Sequence, residues 1–126
     1  MISVETIIGR LLGASSGDRE TDIMIALVMG WKRDNQGVRG NPADDQANTL
    51  CHRADGKEEA QVPAYTSNLQ DAYSLALQVA PRREAGFSWE ADKASAWFTG
   101  EAPVQAATPM LALCAACMEL KKRDFG

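Results

Sequence analysis

The stretch TPMLALCAACMELKK (residues 108–122) predicts a helix that supplies much of the core. Thr108 suits the N-cap with Pro109 at the first helical position, and lysines lie at the negative C-terminal end. At 3.6 residues per turn, one stripe of this helix is apolar and includes both cysteines of a C-x-x-C spacing. The stripe consists of Met110, Leu111, Leu113, Cys114, Cys117, Met118 and Leu120.

The C-x-x-C spacing has three interpretations. A redox pair would lie at the start of a helix, where the helix dipole lowers a thiol pKa, whereas Cys114 and Cys117 lie in the second and third turns. A zinc site could combine them with Cys51 and His52, but adjacent residues of a strand point to opposite faces. We therefore favour the third interpretation, in which both thiols are reduced and serve as small apolar core side chains.

Composition favours one globular domain over residues 1–126. The chain is long enough to bury a core without a disulfide or metal, and 45% of its residues are apolar. A net charge of −4 argues against nucleic acid, which needs a dense face of Lys and Arg. The longest apolar run, residues 23–30, is too short for a bilayer, and the first ten residues lack a signal-peptide layout. We expect a cytoplasmic protein without a membrane partner.

Two helices are predicted in the first quarter of the chain. Residues 4–12 are apolar at helical spacing, with Ser3 as N-cap and Gly13 as the end. Residues 18–29 form a second helix that ends at Gly30. This second helix is apolar on nearly its whole circumference, so it is either buried on several sides or lends one side to a partner.

A third helix is predicted after Ser67, which forms a capping box with Gln70, and Pro81 prevents its continuation. Its shared apolar face consists of Leu69, Ala72, Tyr73, Ala76 and Leu77. The region before this helix predicts short strands at 31–33, 49–53 and 60–63. Residues 34–48 are rich in turn formers and predict a mobile surface loop.

A β-hairpin is predicted around residues 87–99. Phe87 and Trp89 alternate with polar residues before a turn at Asp92 and Lys93, and a returning strand follows. Trp97 and Phe98 are adjacent on that strand, so they face opposite sides of the sheet. This favours an α+β fold, an α-β-α sandwich whose small, mainly antiparallel sheet is covered by helices on both faces.

The motifs of common enzymes are missing, and we assign no catalytic, cofactor-binding or metal-ligating residue. His52 is the only histidine and lies near no nucleophile elbow. The acidic pairs 44–45 and 58–59 have no EF-hand spacing and are typical of solvated surface charge. The sequence also has no Walker A loop and no dinucleotide fingerprint. We therefore expect a protein that is not an enzyme and carries no cofactor.

Four stretches follow one another along the chain: GDRETDIMIALVMGW (17–31), VPAYTSNLQDAYSLA (62–76), the hairpin around Trp89, and AATPMLALCAAC (106–117). In their order and separation they resemble the phage ABA sandwich domain family. The chain departs from the family pattern in the polar insert 34–48 and in Cys117. The resemblance implies an α-β-α sandwich from a phage or prophage, and it carries over no catalytic residue.

Three functional hypotheses follow from these observations. The first is a non-enzymatic phage or prophage accessory protein that binds a host or phage protein, with antagonism of host defence as one role. Its interface, or that of a homo-oligomer, would use Ile25, Val28, Met29 and Trp97. The alternative is an oligomer that sequesters a small nucleotide-like signal through Arg19, Lys32, Arg33 or Arg39. The third, an enzyme that uses His52 and the nearby acidic residues, is the least favoured, because a general base needs partners within reach and the sequence identifies none.

Overall fold

The computed structural model describes residues 3–33, 50–52 and 59–125. Four helices lie in these ranges: α1 (Val4–Gly13), α2 (Arg19–Val28), α3 (Leu69–Val79) and α4 (Pro109–Phe125). Six strands accompany them: β1 (Lys32–Arg33), β2 (Leu50–His52), β3 (Glu59–Gln61), β4 (Ala85–Trp89), β5 (Ala94–Phe98) and β6 (Val104–Ala106). The predicted loop 34–48 lies outside the described residues. None of the described helices combines the length and the hydropathy that crossing a membrane requires.

The strands form two antiparallel sheets in the described part of the chain, ordered β1-β2-β3 and β4-β5-β6. The predicted hairpin is confirmed as β4 and β5, with Trp89 opposite Ala94 and Ala85 opposite Phe98. Strand β6 was not anticipated, because three residues are too few for a period-two pattern. The chain is α+β with helices packing against the strands on both sides, which confirms the predicted fold class.

Helix α4 contacts α1, α3 and all three strands of the β4-β5-β6 sheet. Every side chain from Leu111 to Met118 is buried. The alanines that sequence periodicity placed away from the apolar stripe are therefore in the core as well. Their small side chains allow neighbouring elements to approach the helix from several directions. The Thr108 N-cap is confirmed, since the Leu111 N–H donates to Thr108 Oγ1 at 3.1 Å.

The ends of α1 and α2 follow the signals in the sequence. Ser3 caps α1, because its Oγ accepts the Thr6 N–H at 3.1 Å. Helix α2 ends in a Schellman motif, in which the Trp31 N–H donates to the Ala26 carbonyl and the Gly30 N–H to the Leu27 carbonyl. Gly30 has a φ of 103°, which only glycine adopts at little cost.

One predicted cap is wrong. Helix α3 is capped by Asn68, whose side chain accepts the Asp71 N–H at 3.0 Å, and not by Ser67. Asn and Ser are about equally good caps, so local sequence does not decide between them. The choice comes from the preceding turn, where the Ser67 and Asn68 N–H groups both donate to the Ala64 carbonyl.

Candidate functional site

The outer surface of α3 is uncharged and exposes three large apolar side chains. The helix buries Ala72, Leu75 and Ala76 on one side. Its other side exposes Leu69 (42%), Tyr73 (58%) and Leu77 (46%), which form a stripe at i, i+4 and i+8. We call the exposed surface the α3 face. It comprises Leu69, Gln70, Tyr73, Ser74, Leu77 and Gln78.

No charged side chain belongs to the α3 face, although 24% of the chain is charged. Asp71, the only ionisable acid or base of α3 apart from Tyr73, is half-buried, and its carboxylate accepts the Ala64 N–H at 2.8 Å. The core of a protein–protein interface is typically depleted of charge and enriched in tyrosine. The composition of the α3 face is therefore that of a contact surface.

The α3 face is held in place by a polar cluster at its N-terminal side, whose central residues Asp22 and Thr66 are buried. Asp22 is fully buried, and its carboxylate accepts hydrogen bonds from the Thr66 hydroxyl at 2.6 Å and the Thr66 N–H at 2.8 Å. The Thr66 hydroxyl also accepts the Asp18 N–H at 2.8 Å. These bonds tie the segment that enters α3 to the first turn of α2. We call Asp18, Arg19, Asp22 and Thr66 the Asp22 cluster.

Arg19, one of the four residues predicted to bind a nucleotide-like signal, belongs to the Asp22 cluster. Its guanidinium donates to Asp22 Oδ2 at 2.8 Å and to the carbonyls of Val62 and Pro63 at 2.8 and 3.2 Å. The structure thus gives Arg19 a role in holding two segments together. Lys32 and Arg33 form strand β1, and Arg39 lies outside the described residues. Of these four residues, Arg19 is the one whose side-chain contacts the structure describes.

The predicted interface residues have different surroundings. Ile25 is fully buried in the core, and this burial corrects the expectation that it lies on an interaction surface. Val28 and Met29 are half-buried at the end of α2. Trp97 is half-buried and lies against Gly86 on the neighbouring strand, where a Cβ would come within 2.8 Å of the indole ring. An interface at Val28, Met29 and Trp97 stays a prediction.

Both cysteines of the C-x-x-C spacing are free and fully buried. The Cys114 thiol donates to the Tyr65 carbonyl at 3.2 Å. Burial raises the pKa of the Cys117 thiol to about 12, and burial, with a contribution from Cys117, also raises the pKa of Cys114. Since the thiolate is the nucleophile and the metal ligand, this environment favours inert thiols.

A second surface feature lies where the β5–β6 connection meets the C-terminal half of α4. It is an open cleft of about 270 Å³, which we call the α4 cleft. Its apolar lining includes Phe98, Val104, Ala116 and Leu120, and its charged lining consists of Glu101, Glu119, Lys122 and Arg123. A turn positions Glu101: Gly100 has a φ of 92°, and the Glu101 N–H donates to the Phe98 carbonyl at 2.9 Å.

Metal-ligating side chains do not converge within the described ranges: no three His, Cys, Asp or Glu side chains there could hold one ion. The His52 backbone lies on β2 beside Lys32 of β1. The acidic residues Asp44, Asp45 and Glu58 lie outside the described residues, and Glu59 begins β3.

No family model, no curated protein and no solved structure matches this chain. The α3 face, the Asp22 cluster and the α4 cleft are the candidate functional features of the part of the chain that the structure describes. Sequence reasoning placed Leu69, Tyr73 and Leu77 on a shared face with Ala72 and Ala76, but the structure separates them. The missed signal is a competing stripe formed by Ala72, Leu75 and Ala76, which is the buried side of α3, and α3 contacts α4.

Proposed function

We propose that this protein acts without catalysis by binding another protein through the α3 face. The observation that carries the proposal is the exposed Leu69, Tyr73 and Leu77 stripe, bordered by uncharged Gln70, Ser74 and Gln78. Large apolar side chains in a row on a helix are the anchors of helix-in-groove recognition. Among the described side chains, the other large apolar ones that are exposed, Leu12 and Trp89, lie on different elements and do not extend this stripe.

The shape of the α3 face favours a partner with a concave apolar groove over a second copy of this chain. Helix α3 has 11 residues, so it is only about 16 Å long. Two convex helices of that length would meet along a narrow strip and fall short of the roughly 800 Å² per partner typical of stable complexes. A groove that surrounds the stripe buries more of the same three side chains.

We infer the origin of the partner from the resemblance to the phage ABA sandwich domain. We propose a phage or prophage accessory protein whose partner is a host or phage protein in the host cytoplasm, with antagonism of host defence as its role. The alternative, sequestration of a small nucleotide-like signal, gains no support from Arg19, because its guanidinium contacts Asp22 and two backbone carbonyls.

The test begins with partner capture from host lysate and is decided with the purified partner by isothermal titration calorimetry. Tyr73→Asp places a charge in the centre of the α3 face, at a side chain that is 58% exposed. Since aromatic anchors contribute about 2 kcal/mol or more, we expect affinity to fall by at least about thirtyfold. Ser16→Asp, at an exposed site outside α3, is the matched control and should bind like the original chain.

Two results would contradict the proposal. One is a partner that binds the Tyr73→Asp variant as tightly as the original chain. The other is a stable dimer in sedimentation experiments that Tyr73→Asp dissociates, because the α3 face would then be a self-association surface.

A further inference from the structure

The charged side chains that line the α4 cleft are unequally neutralised. Glu101 accepts from Arg83 at 2.9 Å and also pairs with Arg123. Lys122 pairs with Glu5 of α1 at 3.5 Å. Three of the four charged lining residues therefore form ion pairs within the molecule.

Glu119 is the fourth charged residue, and within residues 3–33, 50–52 and 59–125 its carboxylate has no ion pair or hydrogen bond. Its side chain is half-buried and borders the apolar lining formed by Phe98, Val104, Ala116 and Leu120. Glu119 is therefore the one charged lining residue without a partner in these ranges, and it lies beside an apolar wall.

The cleft is small. Its volume of about 270 Å³ lies below the roughly 300 Å³ at which pockets for drug-sized molecules begin. A ligand for this cleft needs an apolar stem of a few carbons and a cationic end. Lysine and arginine side chains have this form, since they bury their methylene stems on apolar surface and keep the charged end near water.

We propose that the α4 cleft binds the side chain of one lysine or arginine presented by a partner protein. The methylene stem packs against Val104, Ala116 and Leu120, and the cationic end pairs with Glu119. This proposal rests on the proposed protein-binding function in one respect only, which is that the bound side chain belongs to a partner protein. It does not require the α3 face.

The experiment uses small probes and the full chain. Nα-acetyl-lysine amide and Nα-acetyl-arginine amide are titrated into isotope-labelled protein, and amide and methyl chemical shifts around Ala116 are followed by NMR. We expect saturable shifts with both probes. Nα-acetyl-norleucine amide, which has an uncharged stem, should bind at least about threefold more weakly.

Glu119→Gln should weaken binding of the basic probes by about fivefold, which is the upper range for a partly exposed ion pair. Glu84→Gln is the matched control, because Glu84 is an exposed acid outside the cleft lining. The probes should bind the Tyr73→Asp variant unchanged, so failure of the α3 proposal and failure of this one give different results.

Equal binding by the original chain and Glu119→Gln would overturn the proposal, as would the absence of saturable shifts with either basic probe. Titration with 1,4-diaminobutane separates a protein side chain from a free amine. Binding of this diamine as tight as that of the lysine probe would assign the cleft to a free amine and overturn the partner-side-chain proposal.

Discussion

Thr66→Val is predicted to destabilise the fold substantially, although it changes the volume of the side chain little. Thr66 is 1% exposed. Its hydroxyl donates to the buried Asp22 carboxylate at 2.6 Å and accepts the Asp18 N–H at 2.8 Å. Valine keeps the branched shape, but it can neither donate nor accept a hydrogen bond. The substitution therefore tests the polar contacts of the Asp22 cluster separately from packing.

The magnitude follows from those two contacts. A hydrogen bond to a charged group contributes about 1.5–3 kcal/mol, and a neutral one about 1 kcal/mol. Asp22 keeps its bonds from Arg19 and from the Thr66 N–H, so its charge is not left without partners. We expect the free energy of unfolding to fall by about 3 kcal/mol, which corresponds to a Tm lower by about 10 °C for a domain of this size.

The assay is urea unfolding followed by tryptophan fluorescence and circular dichroism. Thr99→Val, at an exposed threonine, is the control and should change the free energy of unfolding by less than about 0.5 kcal/mol. In a double-mutant cycle with Asp22→Asn, the coupling between positions 22 and 66 should exceed about 1 kcal/mol. A loss below about 1 kcal/mol for Thr66→Val, with additive double-mutant energies, would refute the reasoning.

Three further predictions concern other parts of the molecule. Gly9→Ala should raise the free energy of unfolding by about 0.5–1 kcal/mol, because a helical Cβ there meets nothing within 4 Å. Gly17→Ala should lower the free energy of unfolding, because its Cβ would lie 2.7 Å from the Thr66 carbonyl oxygen. Urea unfolding of the two variants measures both changes. Cys114 and Cys117 should resist iodoacetamide in the folded protein and react after denaturation, as peptide mass spectrometry will show; rapid labelling of either in native buffer would contradict their burial. Burial favours a higher pKa for Asp18, but hydrogen bonds from Thr21 and Arg10 outweigh it and hold the pKa below the ordinary 3.8. The charged form of Asp18 therefore stabilises the fold above pH 3.8, and this stabilisation is lost as the pH falls through the folded-state pKa. Asp18→Asn should flatten the acid side of a plot of the free energy of unfolding against pH. An unchanged acid side would contradict this assignment.

The sequence by itself determined most of the local structure. Ser3, Asp18 and Thr108 each cap the helix that follows, and Gly30 ends α2, because these residues act through backbone groups only a few positions away. The hairpin was predictable for the same reason, since alternation and a turn are local signals. The inward position of both C-x-x-C thiols also followed from helical periodicity alone.

Only the tertiary structure decided which apolar surfaces are covered. Ile25 is buried while Tyr73 is exposed, although the sequence pattern makes both of them members of apolar helix faces. The outcome depends on which elements pack on α2 and α3, and that is set by contacts between residues far apart in the chain. The Asp22 cluster joins positions separated by 44 residues, and the α4 cleft arises where α4 meets the β5–β6 connection. No local period or cap encodes such distances, so packing of the whole chain fixed both features.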